Sequence, residues 1–541
     1  MTRSRGSTAA QARAAAQALG EEFDPLLLSD MDRAVELVRS ALEADQLIAI
    51  YGDYDADGVT ACALLVRALR AAGHQPLAYI PQRESEGYGL NSEALVELRR
   101  QGASLVITVD CGTTAVEVAR DRPEGLKLII TDHHLPHAGA GTGSVELAPA
   151  DALVNPQRPD DRYPFKGLAG VGVAYKLVRA LEAAQLIPEG TAETQLPLVA
   201  LGTVADMMPL QDENRWLVQQ GLRLWSEQAP QGLAQLAKIA GVDGSPTSAN
   251  LAFGLAPRIN AAGRMDDPWL ALRCCLADEL EEAKEAATRL ESLNQTRRSS
   301  LALALTLARA AVEEMPDELP VIALGSTEIG PGVVGLVAGR LAEEYGRPAF
   351  VYSKTGAKWR GSARGVPGLN VVEALRHCSG HLLSYGGHLA AGGFSLAPRE
   401  ETAAEFEGKL AEAVLEQLGD RQPLRSFRVD VEVGLRECGL GLAEELLLLQ
   451  PCGTGNPAVL LCASDLTVVR TEPLGKSGLH LKVILSDATG SAEAISFSRP
   501  DLQAHLPAGR QVDVLFELEV DCWRGRRKPR LLLRDMRPAR H

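Results

Sequence analysis

Leu47-Ile-Ala-Ile-Tyr51-Gly-Asp53-Tyr-Asp55-Ala-Asp57-Gly58 joins a run of apolar, β-prone residues to three carboxylates at alternate positions, and Val59–Ala72 follows with helical periodicity. A strand that ends in a polar turn and feeds a helix is the first half of a βαβ unit. Carboxylates this close repel one another unless a cation neutralises them, so the turn reads as a site for a hard divalent metal. A calcium loop of the D-x-D-x-D-G type is the competing reading. It requires a Glu at its twelfth position, where Leu64 stands, and a helix in front, where Leu47–Tyr51 reads as a strand.

The alternation continues outward from this stretch. Pro76–Ile80, Leu105–Asp110 and Lys127–Thr131 read as strands, and Ser92–Arg100 and Thr114–Arg120 as helices between them. Such alternation implies a parallel sheet, whose functional groups collect at the carboxyl ends of its strands. Three further signals close expected strands: Asp110, the triplet Asp132-His133-His134, and Asp206 at the end of Leu201-Gly-Thr-Val-Ala205. Each alone reads more readily as a capping acid or a solvated loop histidine. Together, five carboxylates and a histidine pair at one edge suit two Mn²⁺ or Mg²⁺ ions, and the mixed imidazole and carboxylate donors favour Mn²⁺.

A chain of 541 residues, 46% apolar and 23% charged, has the length for several domains and the means to bury their cores. Lys and Arg total 55 against 70 Asp and Glu, a net charge of −15, which argues against a membrane surface or duplex DNA held by bulk electrostatics. Met1–Gly20 lacks the apolar core of a secretory signal, and no apolar run reaches the ~18 residues that a bilayer requires. Nine scattered cysteines without a C-x-x-C pair read as reduced thiols of a cytoplasmic protein.

Farther along, Asp278–Glu314 contains no Gly or Pro and carries a helical apolar stripe, a helix long enough to join two domains. Pro320–Gly325 and Pro348–Tyr352 begin a second α/β unit that runs to about Gly419. Five strand-like segments then follow: Arg425–Val433, Val459–Val469, Leu479–Leu485, Ala492–Phe497 and Gln511–Val520. They suit a small β-barrel of the OB type, with a β-sandwich as the alternative. The expected fold is thus α/β: two α/β domains, one with a parallel sheet and one smaller, joined by a long helix and followed by a small β-barrel. The boundaries fall at 1–45 (N-terminal helical segment), 46–277, 278–315 (connecting helix), 316–420 and 421–541.

The Asp-rich turn, the strand-end Asp, the Asp-His-His triplet and the later Asp resemble the DHH phosphoesterase superfamily. Within it, the chain is similar to the bacterial RecJ family of single-stranded-DNA exonucleases along nearly its whole length. Pro81-Gln-Arg-Glu-Ser-Glu-Gly-Tyr-Gly-Leu90, Pro257-Arg-Ile-Asn-Ala-Ala-Gly-Arg264, Gly361-Ser-Ala-Arg364, Gly386-Gly-His-Leu-Ala-Ala-Gly392 and Gly453-Thr-Gly-Asn-Pro457 carry that similarity in order and spacing. The resemblance implies a DHH domain, a DHHA1 domain and an OB-fold. It also implies a two-metal 5′→3′ exonuclease of DNA repair and recombination that releases 5′-mononucleotides.

Residue by residue, it implies that Asp53 and Asp55 serve mainly one metal, and Asp57, His133 and Asp206 the other, with Asp110 bridging. His134 would face the scissile phosphate, and Asp132 would orient the histidines. Arg83, Arg264, Ser362 and Arg364 would read a terminal 5′-phosphate, and Gly386, Gly387 and His388 would form the nucleotide-contacting loop of the DHHA1 domain. Some positions depart from the pattern: Gly330 stands near where relatives carry a His, Cys452 where an aromatic is expected, and Tyr51 where some members have a metal-binding His that Asp53 replaces. Cys522–His541 carries eight Lys/Arg against one acid, read as a basic tail that holds a single strand. Aromatics are 4% of the chain, leaving Tyr88, Phe394, Phe497 and Trp523 as candidates for base stacking. A helicase and a single-strand-binding protein are the implied partners. The alternatives are a phosphodiesterase of short oligonucleotides or cyclic dinucleotides, and a non-catalytic DNA-binding replication scaffold.

Overall fold

Strand β1 (Leu47–Gly52) lies inside a five-stranded, all-parallel sheet with β2 (Leu77–Tyr79), β3 (Ala103–Val109), β4 (Lys127–Thr131) and β5 (Ala152–Val154), in the order β2-β1-β3-β4-β5. The computed structural model describes residues 20–82, 86–87, 89–136, 145–242, 244–316, 319–419, 427–475, 480–497, 506–523 and 526–539. Of the residues singled out above, Arg83 and Tyr88 lie outside these, as do most of the N-terminal segment and the side chain of Trp523.

Both faces of the sheet are covered, so β1 and β3 read as continuous apolar runs rather than alternating ones. Helix Ala56–Ala71 follows β1 directly and packs on β1 and against helices Gly170–Ala183 and Leu196–Ala205. Register then decides which residues meet. Gly52 pairs with Val109, Val109 with Thr131, and Thr131 with Val154. The residues that come next, Asp53, Asp110, Asp132 and Asn155, therefore leave the sheet together at one edge.

The expectation for Leu201–Ala205 needs correcting. It is not a strand but the last part of the buried helix Leu196–Ala205, and Asp206 is that helix's C-cap, its N–H on the carbonyl of Gly202. An all-apolar run buried on every side has no periodicity to betray its type, and this one is longer than its five-residue tail suggested.

Upstream, the described start of the chain is tied to the same body by a buried ion cluster. Lys176, fully buried, reaches Glu213 at 2.5 Å, the carbonyl of Phe23 at 2.8 Å and Glu22 at 3.2 Å. The Tyr163 hydroxyl donates to Glu213 as well.

The chain divides into two compact units, one of Met1–Ala256, Leu272–Ala283 and Phe427–His541, the other of Pro257–Ala271 and Lys284–Ser426. In the second unit β6 (Ile322–Ser326), β7 (Ala349–Ser353), β8 (Trp359–Arg364), β9 (Leu382–His388) and β10 (Ala391–Leu396) form a mixed sheet in the order β6-β7-β8-β10-β9. Only β6–β7 is parallel. The expected long helix is Leu280–Glu313, 34 residues, which at ~1.5 Å each span ~51 Å. It begins in the first unit and belongs to the second from Lys284.

The C-terminal part of the first unit is a closed barrel. Strands β12 (Leu461–Leu474), β13 (His480–Asp487), β14 (Gly490–Ser496), β16 (Arg526–Pro538) and β15 (Gln511–Trp523) follow one another, and β15 pairs back onto β12. The β14–β16 pair is parallel and the other pairs are antiparallel, the five-stranded Greek-key barrel of an OB-fold. Two readings change here. Arg425–Val433 yields only the two-residue β11 (Val431–Glu432), hung on the side of β12, and the fifth barrel strand is the basic C-terminus, not a tail.

The described charges of β16 are answered by acids of the barrel strands and, for Arg527, of helix Leu440–Leu447. Arg530 contacts Asp521 and Glu519, Arg534 contacts Glu517, Arg537 contacts Asp513, Arg527 contacts Glu444, and Lys528 contacts Glu493 and Asp521. Among the described residues, eight cysteines are free thiols, and no helix is long and apolar enough to cross a membrane.

Candidate active site

Four sheet ends and two helix ends build the site in the first unit. The turn after β1 carries Asp53, Asp55 and Asp57. Asp55 is the N-cap of helix Ala56–Ala71, its Oδ1 accepting from the N–H groups of Asp57 and Gly58 at 2.9 and 3.1 Å, so one of the alternating carboxylates also starts the helix. Asp57, in the first turn of that helix, is fully buried. It accepts from the N–H groups of Gly170 (2.7 Å) and Val171 (2.8 Å), the first residues of helix Gly170–Ala183. A helix N-terminus thus meets a carboxylate, the favourable sense of the helix dipole.

Asp110 has the left-handed φ of 61°, rare outside glycine, and its Oδ1 lies 3.1 Å from His133 Nε2. The same nitrogen is 3.5 Å from Asp206 Oδ2 and 3.9 Å from Asp57 Oδ2. Three overlapping groups follow: Asp53, Asp55 and Asp110; Asp57, His133 and Asp206; and Asp110, His133 and His134. Within each group the candidate ligand atoms lie within 4.8 Å of one another. Asp110 is shared between the Asp53/Asp55 set and the histidine set.

Burial and crowding leave Asp57, Asp110 and Asp206 poorly able to ionise. Burial, then the charge of Asp55, raises Asp57 to about 7 against the opposing N–H bonds of Val171 and Gly170. Burial, then Asp57 and Asp55, raises Asp206 to about 8. Asp110 is pushed well up by burial and by the surrounding aspartates. A divalent cation relieves both causes at once, so the donor set fits Mn²⁺ or Mg²⁺.

Asp132 behaves in the opposite way. It accepts from the N–H groups of Thr113, His133 and His134 and from Nδ1 of His134, the last at 2.8 Å. Burial opposes its charge, but the bond from His134 and the histidines' charges hold it well below the usual carboxylate range. Burial likewise opposes a charge on His134, yet Asp132, then Asp206 and Asp53, raise it to about 9. At neutral pH His134 is therefore an imidazolium anchored through Nδ1. Burial, then Asp53 and Asp132, push the Cys111 thiol well up, so it remains neutral beside the acids.

Sequence reasoning missed three contributors. Asn155 donates to Thr113 Oγ1 (2.8 Å) and to the carbonyl of His134 (2.9 Å), bracing the Asp132–His134 pair. It follows a three-residue strand, too short to show a period. The other two are glycines. A Cβ at Gly170 would stand 2.5 Å from the Asp110 side chain, and one at Gly202 would stand 2.4 Å from Thr60 Oγ1 and 2.9 Å from Asp57 Oδ1.

Comparison with known proteins fits this geometry. The profile of the DHH family, N-terminal domain, matches residues 47–203, that of the DHHA1 domain residues 318–417, and that of the RecJ OB domain residues 429–535. The single-stranded-DNA-specific exonuclease RecJ of Dickeya dadantii is 34% identical over 95% of this chain and 92% of its own length. The chain belongs to the RecJ family. The RecJ of Bacillus subtilis is 33% identical over 95% of the chain, which spans 64% of that relative's length. The crystal structure of RecJ in complex with Mn²⁺ from Thermus thermophilus superposes with a TM-score of 0.81 at 30% identity, over 97% of this chain and 74% of that one.

The remaining expected site residues of this RecJ-family chain lie in its second unit, apart from Arg83, which is outside the described residues. Strand pairing aligns Arg364 with Ala391 and Ala391 with His388, and Ser362 with Gly393 and Gly393 with Gly386. Ser362, Arg364, Gly386 and His388 therefore share one face of the mixed sheet, and Gly393 in the middle leaves its floor open. Arg364 donates to Ser362 Oγ (3.2 Å) and to the carbonyl of Ala363 (2.8 Å), and burial pulls its pKa down. Gly387 has φ +141°, and a Cβ there would meet the carbonyl of Ala391 at 2.4 Å, so the turn at His388 needs glycine. Arg264 is half-buried near the end of helix Ala256–Met265. Tyr51 lies in the core, its hydroxyl donating to the carbonyl of Gly89, and the stacking candidate Phe394 is buried against Phe406.

Proposed function

We propose that the protein is a metal-dependent 5′→3′ exonuclease that hydrolyses single-stranded DNA to 5′-mononucleotides in repair and recombination. The observation that carries this reading is the overlap of the three donor groups at Asp110 and His133, beside a histidine held cationic. Asp53, Asp55 and Asp110 would hold one Mn²⁺, and Asp57, His133, Asp206 and Asp110 the other, with Mg²⁺ as the alternative. When bound, the two cations neutralise the phosphodiester's oxygens and activate the attacking water.

The protein's own groups supply the rest. Asp132 keeps the Nδ1 proton of His134 in place, so Nε2–H is presented to phosphate or leaving-group oxygen. Asn155 and Thr113 hold Asp132 and the histidine loop. Ser362 and Arg364 would receive a terminal 5′-phosphate. Arg364 has no carboxylate beside it among the described residues, so its charge is available to a substrate anion. Gly386, Gly387 and His388 would contact the backbone near the cut, and Arg83 and Arg264 would add charge at the 5′ end.

The OB barrel supports a longer substrate than a dinucleotide. Its β16 arginines are ion-paired, so they favour a strand that exchanges partners over one drawn in by free charge. An enzyme restricted to single strands needs a supply of them, which makes a helicase and a single-strand-binding protein its proposed partners in the cytoplasm. We take residues 46–277, 278–315, 316–420 and 421–541 as its functional parts. With Mn²⁺ and a 5′-phosphorylated single strand, Asp110→Ala should abolish nucleotide release. Arg364→Ala should blunt the advantage of the 5′-phosphate while metal binding is kept. Equal losses on phosphorylated and unphosphorylated strands would refute the end-reading role.

A further inference from the structure

The acids of the site differ in how they are placed. Asp55, Asp57 and Asp132 are each fixed by backbone N–H groups, whereas none holds the carboxylate of Asp206 or of Asp110 among the described residues; His133 Nε2 lies 3.5 Å from the first and 3.1 Å from the second. The position of Asp206 depends on the backbone around it. That backbone leaves helix Leu196–Ala205 through Met207 at φ +57°, the left-handed residue of a helix end in which the N–H groups of Met207 and Met208 reach the carbonyls of Val204 and Thr203.

Just past that helix end the chain is held by the barrel domain, in the same compact unit. Four residues beyond Asp206, the N–H of Leu210 donates to the carbonyl of Thr454 at 2.7 Å, and Gln211 Nε2 donates to the carbonyl of Gly455 at 2.7 Å. The receiving loop is itself pinned. Gly453 and Asn456 bond reciprocally through their backbones, and Asn456 Nδ2 donates to the carbonyls of Leu449 and Pro451. Ser248 Oγ donates to the carbonyl of Cys452 from the other side. The contact is close: at Gly455, whose φ of +72° favours glycine, a Cβ would lie 3.0 Å from Pro209 Cβ, and at Gly453 one would lie 2.8 Å from Leu210 Cδ1.

We propose that the Gly453-Thr-Gly-Asn456 loop of the barrel, through Leu210 and Gln211, is a positioning element that sets Asp206 and so completes one of the two metal positions. The inference rests on the two-metal reading above. The helix end holds the stretch 206–211 at Asp206 and the barrel loop holds it at Leu210 and Gln211, so loosening the second grip leaves the acid set by the helix end alone. The loop's carbonyls touch neither substrate nor metal in this account; Gln211 and Gly455 are positioning residues.

The test is Mn²⁺ binding to the full-length protein by electron paramagnetic resonance of the free ion, for wild type, Gln211→Ala and Gly455→Ala, with thermal melts beside it. Wild type should bind two ions. Both variants should bind one ion as before and the other about ten-fold or more weakly, the range for groups that orient metal ligands. Nucleotide release should then require correspondingly more Mn²⁺ and recover its maximal rate when that is supplied. Gln211→Ala removes a single hydrogen bond and keeps the loop's shape, so it reports even where Gly455→Ala unfolds. Unchanged affinity for both ions in Gln211→Ala, with only the affinity for long single strands altered, would overturn the inference and leave the two-metal reading standing. Failure of wild type to bind two ions would overturn both.

Discussion

Asp132 accepts four hydrogen bonds, and its strongest effect is on another residue. It raises His134 to about 9, so the histidine is charged through the neutral range and loses its proton as the pH rises through that value. Asp132→Asn should lower the rate about 10–100-fold, the usual cost of losing a group that orients a catalytic histidine. It should also move the alkaline limb of the pH–rate profile toward the ordinary histidine value. A profile whose alkaline limb stays in place would show that His134 is not the titrating acid.

The crowded carboxylates give a second pH effect with its own sign. Asp57 and Asp206 bind protons more tightly in the folded protein than in the unfolded chain, with values raised to about 7 and about 8. Their ionisation therefore costs stability as pH rises from the ordinary carboxylate range through those values. Below them a cation must displace the protons. Mn²⁺ should accordingly raise the melting temperature more at pH 8 than at pH 6, and at a hundred times the dissociation constant it should add about 2.7 kcal/mol. Equal shifts at the two pH values, measured by calorimetry, would contradict this.

At the scale of elements, the site depends on helices that approach acids closely. Gly202→Ala would place a methyl 2.4 Å from Thr60 Oγ1 and 2.8 Å from Val171 Cγ1, with Asp57 just beyond. Overpacking of that kind costs about 1–3 kcal/mol. A lower melting temperature is expected together with weaker Mn²⁺ binding, because Asp57 is among the displaced groups; a stability loss with metal binding intact would separate the helix contact from the site. Much of this architecture was legible in sequence. The strand–helix alternation, the Asp-rich turn and the Asp-His-His triplet are local signals, and β4 fell on Lys127–Thr131 as expected. What escaped were the parts fixed by distant partners. The run ending at Ala205 is helical because it is buried on all sides, and Arg526–Pro538 becomes a strand because its charges meet Glu517, Glu519 and Asp521 across a hairpin. Gly170 and Gly202 carry no mark in the sequence that distinguishes them from other helical glycines. Their meaning appears only once Asp110 and Asp57 are known to lie against them.

For the molecule as a whole, the net charge of −15 has a more local meaning than it first suggests. Part of it belongs to Asp53, Asp55, Asp57, Asp110 and Asp206, which two divalent cations would offset. The basic strand β16 is balanced inside the barrel, so strand binding should show a shallower salt dependence than a run of free arginines would give. A slope of log affinity against log salt matching the full complement of β16 cations would contradict that. The central claim concerns where on a strand the protein acts, and one assay addresses it directly. A single strand labelled at its 5′ or its 3′ end, its duplex, and a dinucleotide are each supplied with Mn²⁺, and the products are resolved by size with time. The account predicts that the 5′ label leaves at once as a mononucleotide, the 3′-labelled strand shortens stepwise, and the duplex persists. Release beginning at the 3′ end, or preference for the dinucleotide over the strand, would contradict it.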